Sequence, residues 1–357
     1  DGGSNVFFWN TTSTLTDNGG FVVKATATAT GRWIAADQSV ANLLRFGAVG
    51  DGVTNSTTAI QTALATGRQA FAPKGTYLVN AEMPILNNVL CEMDAVFKVT
   101  DGYSGTGFSV KSKKQLTLKG VYVDAQGAGI SCTGLRIEGL WNSVIENYGF
   151  IANATDVTSI GVDMTSTDPS ILPGNPWGNY VITFINPYII RGNTGIKTTK
   201  TVGDAVENTQ FSILGGWVAS QSYAAFDLGY ITNLVITNVA TDVIYGTGYI
   251  FHHCNQAFIH VGEYNSGMLA NVTDANSHIK FFHPTAMDLS TIITGTNYNS
   301  QTMSRLRLNA TSDPDYNVEI RSNYVYGTPF EIVGNFGGGG ERQIMKYNYD
   351  GLIFRAE

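Results

Sequence analysis

Apolar and polar residues alternate with a period of two along most of this chain. Four short segments between about residues 78 and 300 repeat one pattern. They are TGLRIE from Thr133, IGVDMT from Ile160, TGIKTT from Thr194 and AAFDLG from Ala224. Alternation puts Leu135 and Ile137, Val162 and Met164, Ile196 and Thr198, and Phe226 and Leu228 on one buried side. Each segment is followed by a second strand-like run: SVIENYGFI, NYVITFINPYII, TQFSILGGWV and TNLVITNV in turn. The starts lie about thirty residues apart, which predicts a solenoid whose coils stack and whose loops of several residues protrude. Further coils are expected at GYIFHHCNQAFIHVG and HIKFFHPTAMDLSTIITG.

A helical period occurs early, within residues 46–80. Ile60, Ala63 and Leu64 fall three and four residues apart, after Thr54, Asn55 or Ser56 as the cap and before Gly67 as the stop. Gly47, Gly50 and Gly52 free the preceding backbone for tight turns, and Asp51 and Asn55 can bond nearby amides. The run QAFAPKGTYLV that follows reads as two strand pieces around a turn at Pro73 and Gly75.

This stretch resembles the opening motif of the pectate-lyase-like superfamily, phrases of the type FGAxGDGxxxDTxAIQxAL followed by a strand and PxGxYxV. The match holds at Phe46, Gly47, Ala48, Gly50, Asp51, Gly52, Thr58, Ala59, Ile60, Gln61, Ala63, Leu64, Pro73, Gly75, Tyr77 and Val79. Asn55 and Ser56 stand where acidic residues are usual. The resemblance implies an all-β fold, a right-handed parallel β-helix (solenoid) whose N-terminal end is capped by the short helix. Fold alone does not specify chemistry.

Residues 1–36, with DGG, VFFWN, DNGG and GRW, are similar to the segment that precedes the β-helix in many bacteriophage tail spikes. Read from their residues alone, they predict a β-hairpin that covers the helix cap. After about residue 300 the rhythm changes to alternating strands with turns at Asp313-Pro314-Asp315, Tyr326-Gly327 and Gly337 to Gly340, a small C-terminal antiparallel β-domain. The expected organisation is a hairpin or neck at 1–40, a capping helix and β-helix at 41–300, and a capping or oligomerisation domain at 301–357. An open solenoid end would expose unpaired strand edges, so a cap or an oligomer contact is physically required. Resemblance to tail spikes implies a homotrimer on the virion tail, joined to other phage tail proteins through a region upstream of Asp1. It also implies a bacterial capsular polysaccharide or lipopolysaccharide O-antigen as the partner that is bound and cleaved.

Composition agrees. The chain has 357 residues, 40 of them glycine, with only 14% charged residues and a net charge of -7. No basic block exists for a phosphate backbone, which argues against nucleic acid. No apolar run approaches about eighteen residues, which argues against a membrane-spanning helix. A carbohydrate partner fits better, although the negative charge opposes simple capture of a polyanion. Cys91, Cys132 and Cys254 lack CxxC spacing and read as buried free thiols.

The alignment places Arg136, Asp163, Lys197 and Asp227 in one outward column with alternating signs. It reads as a surface salt-bridge ladder or as the floor of a groove that holds carboxylates beside a sugar. The longest insertions, Thr165 to Gly178 and Lys200 to Asn208, fall at corresponding places in successive coils and would form one wall of a cleft. Trp177 offers a face for a pyranose ring, and Asp168, Asp204 and Glu207 offer carboxylates, although Asp168 and Asp204 also suit ordinary turns. Glycoside hydrolysis needs two carboxyl groups astride the bond. The leading catalytic set is Glu207 and Asp204 with Asp227 or Asp163, and the substrate-binding set is Trp177, Asp168, Lys197, Arg136 and Trp217. Glu138 and Glu146 are a weaker pair. A lyase would draft Lys197, Arg191 and Tyr188 as base and neutralising groups. No dense acidic cluster of the calcium-binding kind is present, so neither metal nor cofactor is expected. His252, His253, His260, His278 and His283 read as structural or groove-lining, since adjacent strand residues face opposite ways and His252 and His253 cannot readily share a metal.

Overall fold

The computed structural model describes residues 5–164, 178–198, 208–242, 246–265, 268–272, 279–282, 293–294, 305–309, 316–323, 328–336, 341–348 and 351–354. Twenty-three strands form one sheet with parallel pairing between coils, the β-helix expected from the repeats. The aligned segments are in the predicted register: Thr133 pairs with Ile160, Ile160 with Thr194, and Thr194 with Ala224. The inward residues named above, from Leu135 to Leu228, are all fully buried. Each buried Leu, Ile or Phe contributes about 1.5–3 kcal/mol by leaving water.

Every coil has three faces. The first carries the repeated segments, including Ile160–Asp163 and Thr194–Thr198. The second carries Tyr180–Ile185 and Asn208–Leu214, and the third Tyr188–Ile190 and Trp217–Ala219. Left-handed residues make the corners. Asn147, Asn186 and Asn238 (φ 52, 49 and 55) turn the second face into the third, as asparagine tolerates best. Another left-handed column, Asn142, Val181, Gln210, Asn233 and Gln256, opens the second face in five coils. Val181, β-branched, is the residue least suited to that conformation.

The second position of the repeat is glycine in three of the four aligned segments, with Ala225 in the fourth, for a reason outside the segment itself. Gly134, Gly161 and Gly195 point inward beneath side chains from the third face and its corner. A Cβ at Gly134 would come within 2.4 Å of the Tyr148 hydroxyl and 2.5 Å of Phe150, and one at Gly161 within 2.6 Å of Ile189. Tyr148 is buried, and its hydroxyl donates to the Gly161 carbonyl at 3.0 Å.

The helix Thr57–Ala65 buries Ile60, Ala63 and Leu64 at the N-terminal end of the solenoid. Two of the three expected cap residues share the capping. Ser56 occupies the cap position, but its hydroxyl turns back to the Val49 amide and carbonyl. The Asn55 carboxamide instead accepts from the Thr57 amide at 2.9 Å. Asp51 accepts from the Val53 and Thr54 amides as predicted, and Gly67 follows the helix with φ 68.

Two ends complete the chain. The N-terminal segment is a three-stranded antiparallel sheet rather than a hairpin, because Arg32–Ala35 pairs with both Phe7–Asn10 and Val22–Lys24. Phe21 from this segment packs edge-on against Phe46 at 5.1 Å, beside the helix. The C-terminal strands, Arg305–Asn309 to Gly351–Phe354, form a five-stranded antiparallel sheet, as their alternation predicts. The three predicted turns among them lie outside the described residues.

Candidate active site on the first face

The charged column holds in three dimensions. Arg136 pairs with Asp163, Asp163 with Lys197, and Lys197 with Asp227 on four successive coils. Each lies between inward-facing neighbours, so all four side chains face outward. Both carboxylates are nevertheless nearly buried, with 6% of Asp163 and 7% of Asp227 exposed. Arg136 Nη2 donates to Asp163 Oδ2 at 3.0 Å. Asp227 Oδ1 lies 2.9 Å from Nε2 of His252, on the next coil. Tyr223 precedes the same strand, and burial together with the Asp227 charge raises its phenol above the usual tyrosine range.

Beside this column lies an open cleft of about 310 Å³, lined by Gly105, Thr106, Ser131, Cys132, Thr133, Arg136 and Thr158. Its polar lining is a row of hydroxyls and one guanidinium. Arg136 Nε is buried without a hydrogen-bond partner among the described residues.

The corner where the first face becomes the second adds aromatic surface that sequence reading missed. Lys114 Nζ sits 4.5 Å above the Trp141 ring, and Trp141 meets Tyr180 at 5.8 Å. Tyr180 opens the strand that follows the 165–177 connection. Extending the second aligned run back by two residues, from Ser143 to Trp141, finds the column, since Lys114, Trp141 and Tyr180 share one register position.

Not all the predicted residues assemble. Arg136, Lys197, Asp163 and Asp227 share the first face, whereas Trp217 stands on the third. Trp177, Asp168, Asp204 and Glu207 lie outside the described residues, although both connections that carry them join the first face to the second. The weaker carboxylate pair is divided, with Glu138 on the first face beside Lys111 and Glu146 on the second beside Lys119. The lyase set is divided as well, since Tyr188 and Arg191 belong to the third face and its corner. His253 has φ 56 and stacks on Tyr230 at the corner, which turns it away from the regular strand that His252 ends. His278 and His283 lie outside the described residues.

Cys254 donates from its thiol to the Leu228 carbonyl, and all three cysteines are free. Among the described residues, no group of three His, Cys, Asp or Glu side chains is placed to hold a metal ion. No helix there is long and apolar enough to cross a membrane.

No protein-family model and no curated protein matches the chain. Solved structures do. The Pantoea stewartii protein WceF, a glycan biofilm modifying enzyme with a tailspike-like parallel β-helix, aligns with a TM-score of 0.58 at 12% identity over 84% of this chain and 45% of its own. The tailspike protein gp49 of Acinetobacter baumannii bacteriophage Fri1, a capsular polysaccharide depolymerase, aligns with a TM-score of 0.55 at 10% identity over 98% and 88%. The enzymatically active domain of bacteriophage CBA120 tailspike protein 2 has a TM-score of 0.44 at 12% identity, over 93% of this chain and 64% of that domain. At these identities the likeness is one of architecture: the chain has the parallel β-helix fold of the phage Fri1 tailspike and of WceF.

Proposed function

We propose that this chain is a tailspike-type depolymerase that binds a bacterial surface polysaccharide, capsule or O-antigen, and cleaves it by hydrolysis. The reading extends to a homotrimer carried on a virion tail. One observation carries the chemistry: two nearly buried carboxylates, Asp163 and Asp227, stand on one outward column with Lys197 between them. Two coils separate their backbones by about 9.6 Å. That spacing exceeds the about 5–5.5 Å of a retaining pair of carboxyl groups and leaves room for a water between base and sugar.

In this scheme Asp163, ion-paired with Arg136, takes a proton from water as its oxygen bonds to the anomeric carbon. The Asp227–His252 pair gives a proton to the departing glycosidic oxygen as that bond breaks. Lys197 and the Arg136 side of the hydroxyl-lined cleft hold the sugars on either side. Glu207 and Asp204 remain members of the proposed catalytic set, and Trp177 and Asp168 of the binding set.

The test is incubation with capsule and lipopolysaccharide extracts from a panel of bacteria, with released oligosaccharides weighed by mass spectrometry. Fragments that have gained water support hydrolysis. Fragments that have lost water and absorb in the ultraviolet would move the reaction to β-elimination. Binding with no fragments from any glycan would reject cleavage and leave an adhesin.

A further inference from the structure

The third face carries an aromatic column that the chemistry of the first face does not use. Tyr122, Gly149, Tyr188 and Trp217 occupy one register position on four successive coils. A Cβ at Gly149 would come within 2.2 Å of the Tyr122 ring, so the missing side chain lets Tyr122 lean across that coil. It reaches Tyr188 at 6.4 Å with the rings inclined by only 29°, and Trp217 follows at 5.5 Å and 68°. Tyr188 and Trp217 each keep 37% of their surface exposed. The column is therefore a continuous, outward, accessible track of three rings along the solenoid axis.

A polar track runs beside it in the same direction. Asn153 Nδ2 donates to the Gln126 carbonyl at 2.7 Å, and Gln126 Nε2 donates to Asp124 Oδ1 at 3.2 Å. Arg191, two coils further on, reaches back so that Nη1 donates to Gln126 Oε1 at 3.4 Å. Carboxylate, amides and guanidinium thus flank the rings on one side.

We infer that this pair of tracks binds an extended polysaccharide parallel to the axis, at a site separate from the first face. A sugar has an apolar face of C–H groups and an equatorial rim of hydroxyls, which match a ring track and a polar track respectively. Coils repeat every 4.8 Å or so, on the scale of one pyranose per coil. A second copy of this chain suits the surface less well, because its polar track would have to be desolvated. The inference shares with the preceding section only the class of ligand, and it requires no cleavage.

Affinity electrophoresis tests it, with the full chain run through gels that contain purified capsular polysaccharide or O-antigen from the same bacterial panel. The wild-type chain should be retarded by at least one glycan. Tyr188→Ala and Trp217→Ala should each weaken that retardation by about tenfold, the scale of one lost ring contact, while Trp217→Phe keeps most of it. As a check that needs no destabilising change, the retarding glycan should alter the tryptophan fluorescence of wild type more than that of Trp217→Phe. Full retardation of both alanine variants, or no retardation of wild type by any glycan, overturns the inference. So does a fall in solution mass in those variants with retardation unchanged, which would make the track a contact between copies. Asp227→Asn separates the two readings: it should stop product release and leave retardation intact.

Discussion

Asp227 and His252 meet across adjacent coils, carboxylate oxygen to imidazole nitrogen at 2.9 Å, although twenty-five residues separate them in the chain. The pair combines a nearly buried carboxylate with a half-exposed imidazole, a side chain able to pass a proton. Asp227→Asn keeps the shape and removes the charge that orients the ring. We expect it to lower polysaccharide cleavage by about 10²–10⁴-fold, the usual contribution of a positioned acid or base, with the thermal midpoint little changed. His252→Ala should fall in the same range. Wild-type rates of reducing-end release in both variants would remove the pair from the mechanism.

Arg136 and Asp163 are coupled in a different way. Loss of the carboxylate in Asp163→Asn leaves the guanidinium at the edge of the cleft without its ion partner, and Nε there is already unpartnered. The expected result is loss of cleavage together with a stability decrease of about 1–3 kcal/mol, the cost of an unsatisfied polar group. The double variant Arg136→Met/Asp163→Asn should recover part of the stability and none of the activity. Chemical denaturation of Asp163→Asn, Arg136→Met and the double variant gives the coupling, and a strictly additive result would contradict it.

Glu207→Gln tests the other half of the proposed catalytic set. If Glu207 supplies a carboxyl group to the reaction, its amide should reduce product release by at least about 10² with the fold retained. Wild-type turnover would confine the chemistry to the column of Asp163 and Asp227.

The coil register was legible because it depends on a local, repeated alternation. Aligning four hexapeptides was enough to place Arg136, Asp163, Lys197 and Asp227 in one column, and the pairing is that column. What escaped depends on other faces. The repeated glycine carries no signal of its own in the alternation: Gly134 is small because Tyr148 and Phe150 approach from the opposite wall. His252 was set aside because neighbouring strand residues diverge, and the left-handed bend at His253 that frees it has no sequence signal beyond a possible corner. Tyr122 was missed because the alignment was not carried into the third face, where GVY, NYG, NPY and GGW fall into line. The N-terminal hairpin became a three-stranded sheet because Arg32–Ala35 has two partners, and pairing order is not encoded by alternation.

Those glycines make a sharp prediction for stability. Gly134 and Gly161 have no left-handed backbone, so their need to be glycine is one of space. An added methyl would meet a backbone carbonyl at 2.8 Å at Gly134 and 2.7 Å at Gly161, besides the side chains. Gly134→Ala and Gly161→Ala should each cost about 1–3 kcal/mol, as overpacking does. Pairing Gly161→Ala with Ile189→Ala should not restore the loss, because the carbonyl contact remains and a cavity is added. A thermal midpoint equal to wild type in either single variant would show that the coils can separate to admit the methyl.

Stability should also fall in alkali, for a reason that resides in the core. Burial raises the Cys132 thiol from its ordinary 9.0 to about 12, with the Asp156 charge adding to the rise and a hydrogen bond with the Gly107 backbone opposing it. Burial does the same for Cys91, also to about 12. A group whose pKa is higher in the folded state binds its proton more tightly there. Below about pH 9 both states are protonated and the stability is unaffected; above it the unfolded chain releases protons that the folded chain keeps. Unfolding is then favoured by about 1.4 kcal/mol per pH unit for each group, until the folded thiols ionise as well near pH 12. Denaturant midpoints should therefore be level from pH 7 to 8.5 and decline from pH 9 to 11, and Cys132→Ala should make the decline shallower. The thiols should resist a disulfide reagent at pH 8 in the native protein and react once it is unfolded, because the reactive thiolate is withheld by the same burial. Rapid native-state reaction of Cys132, or a midpoint that does not move between pH 9 and 11, would contradict this account of the core.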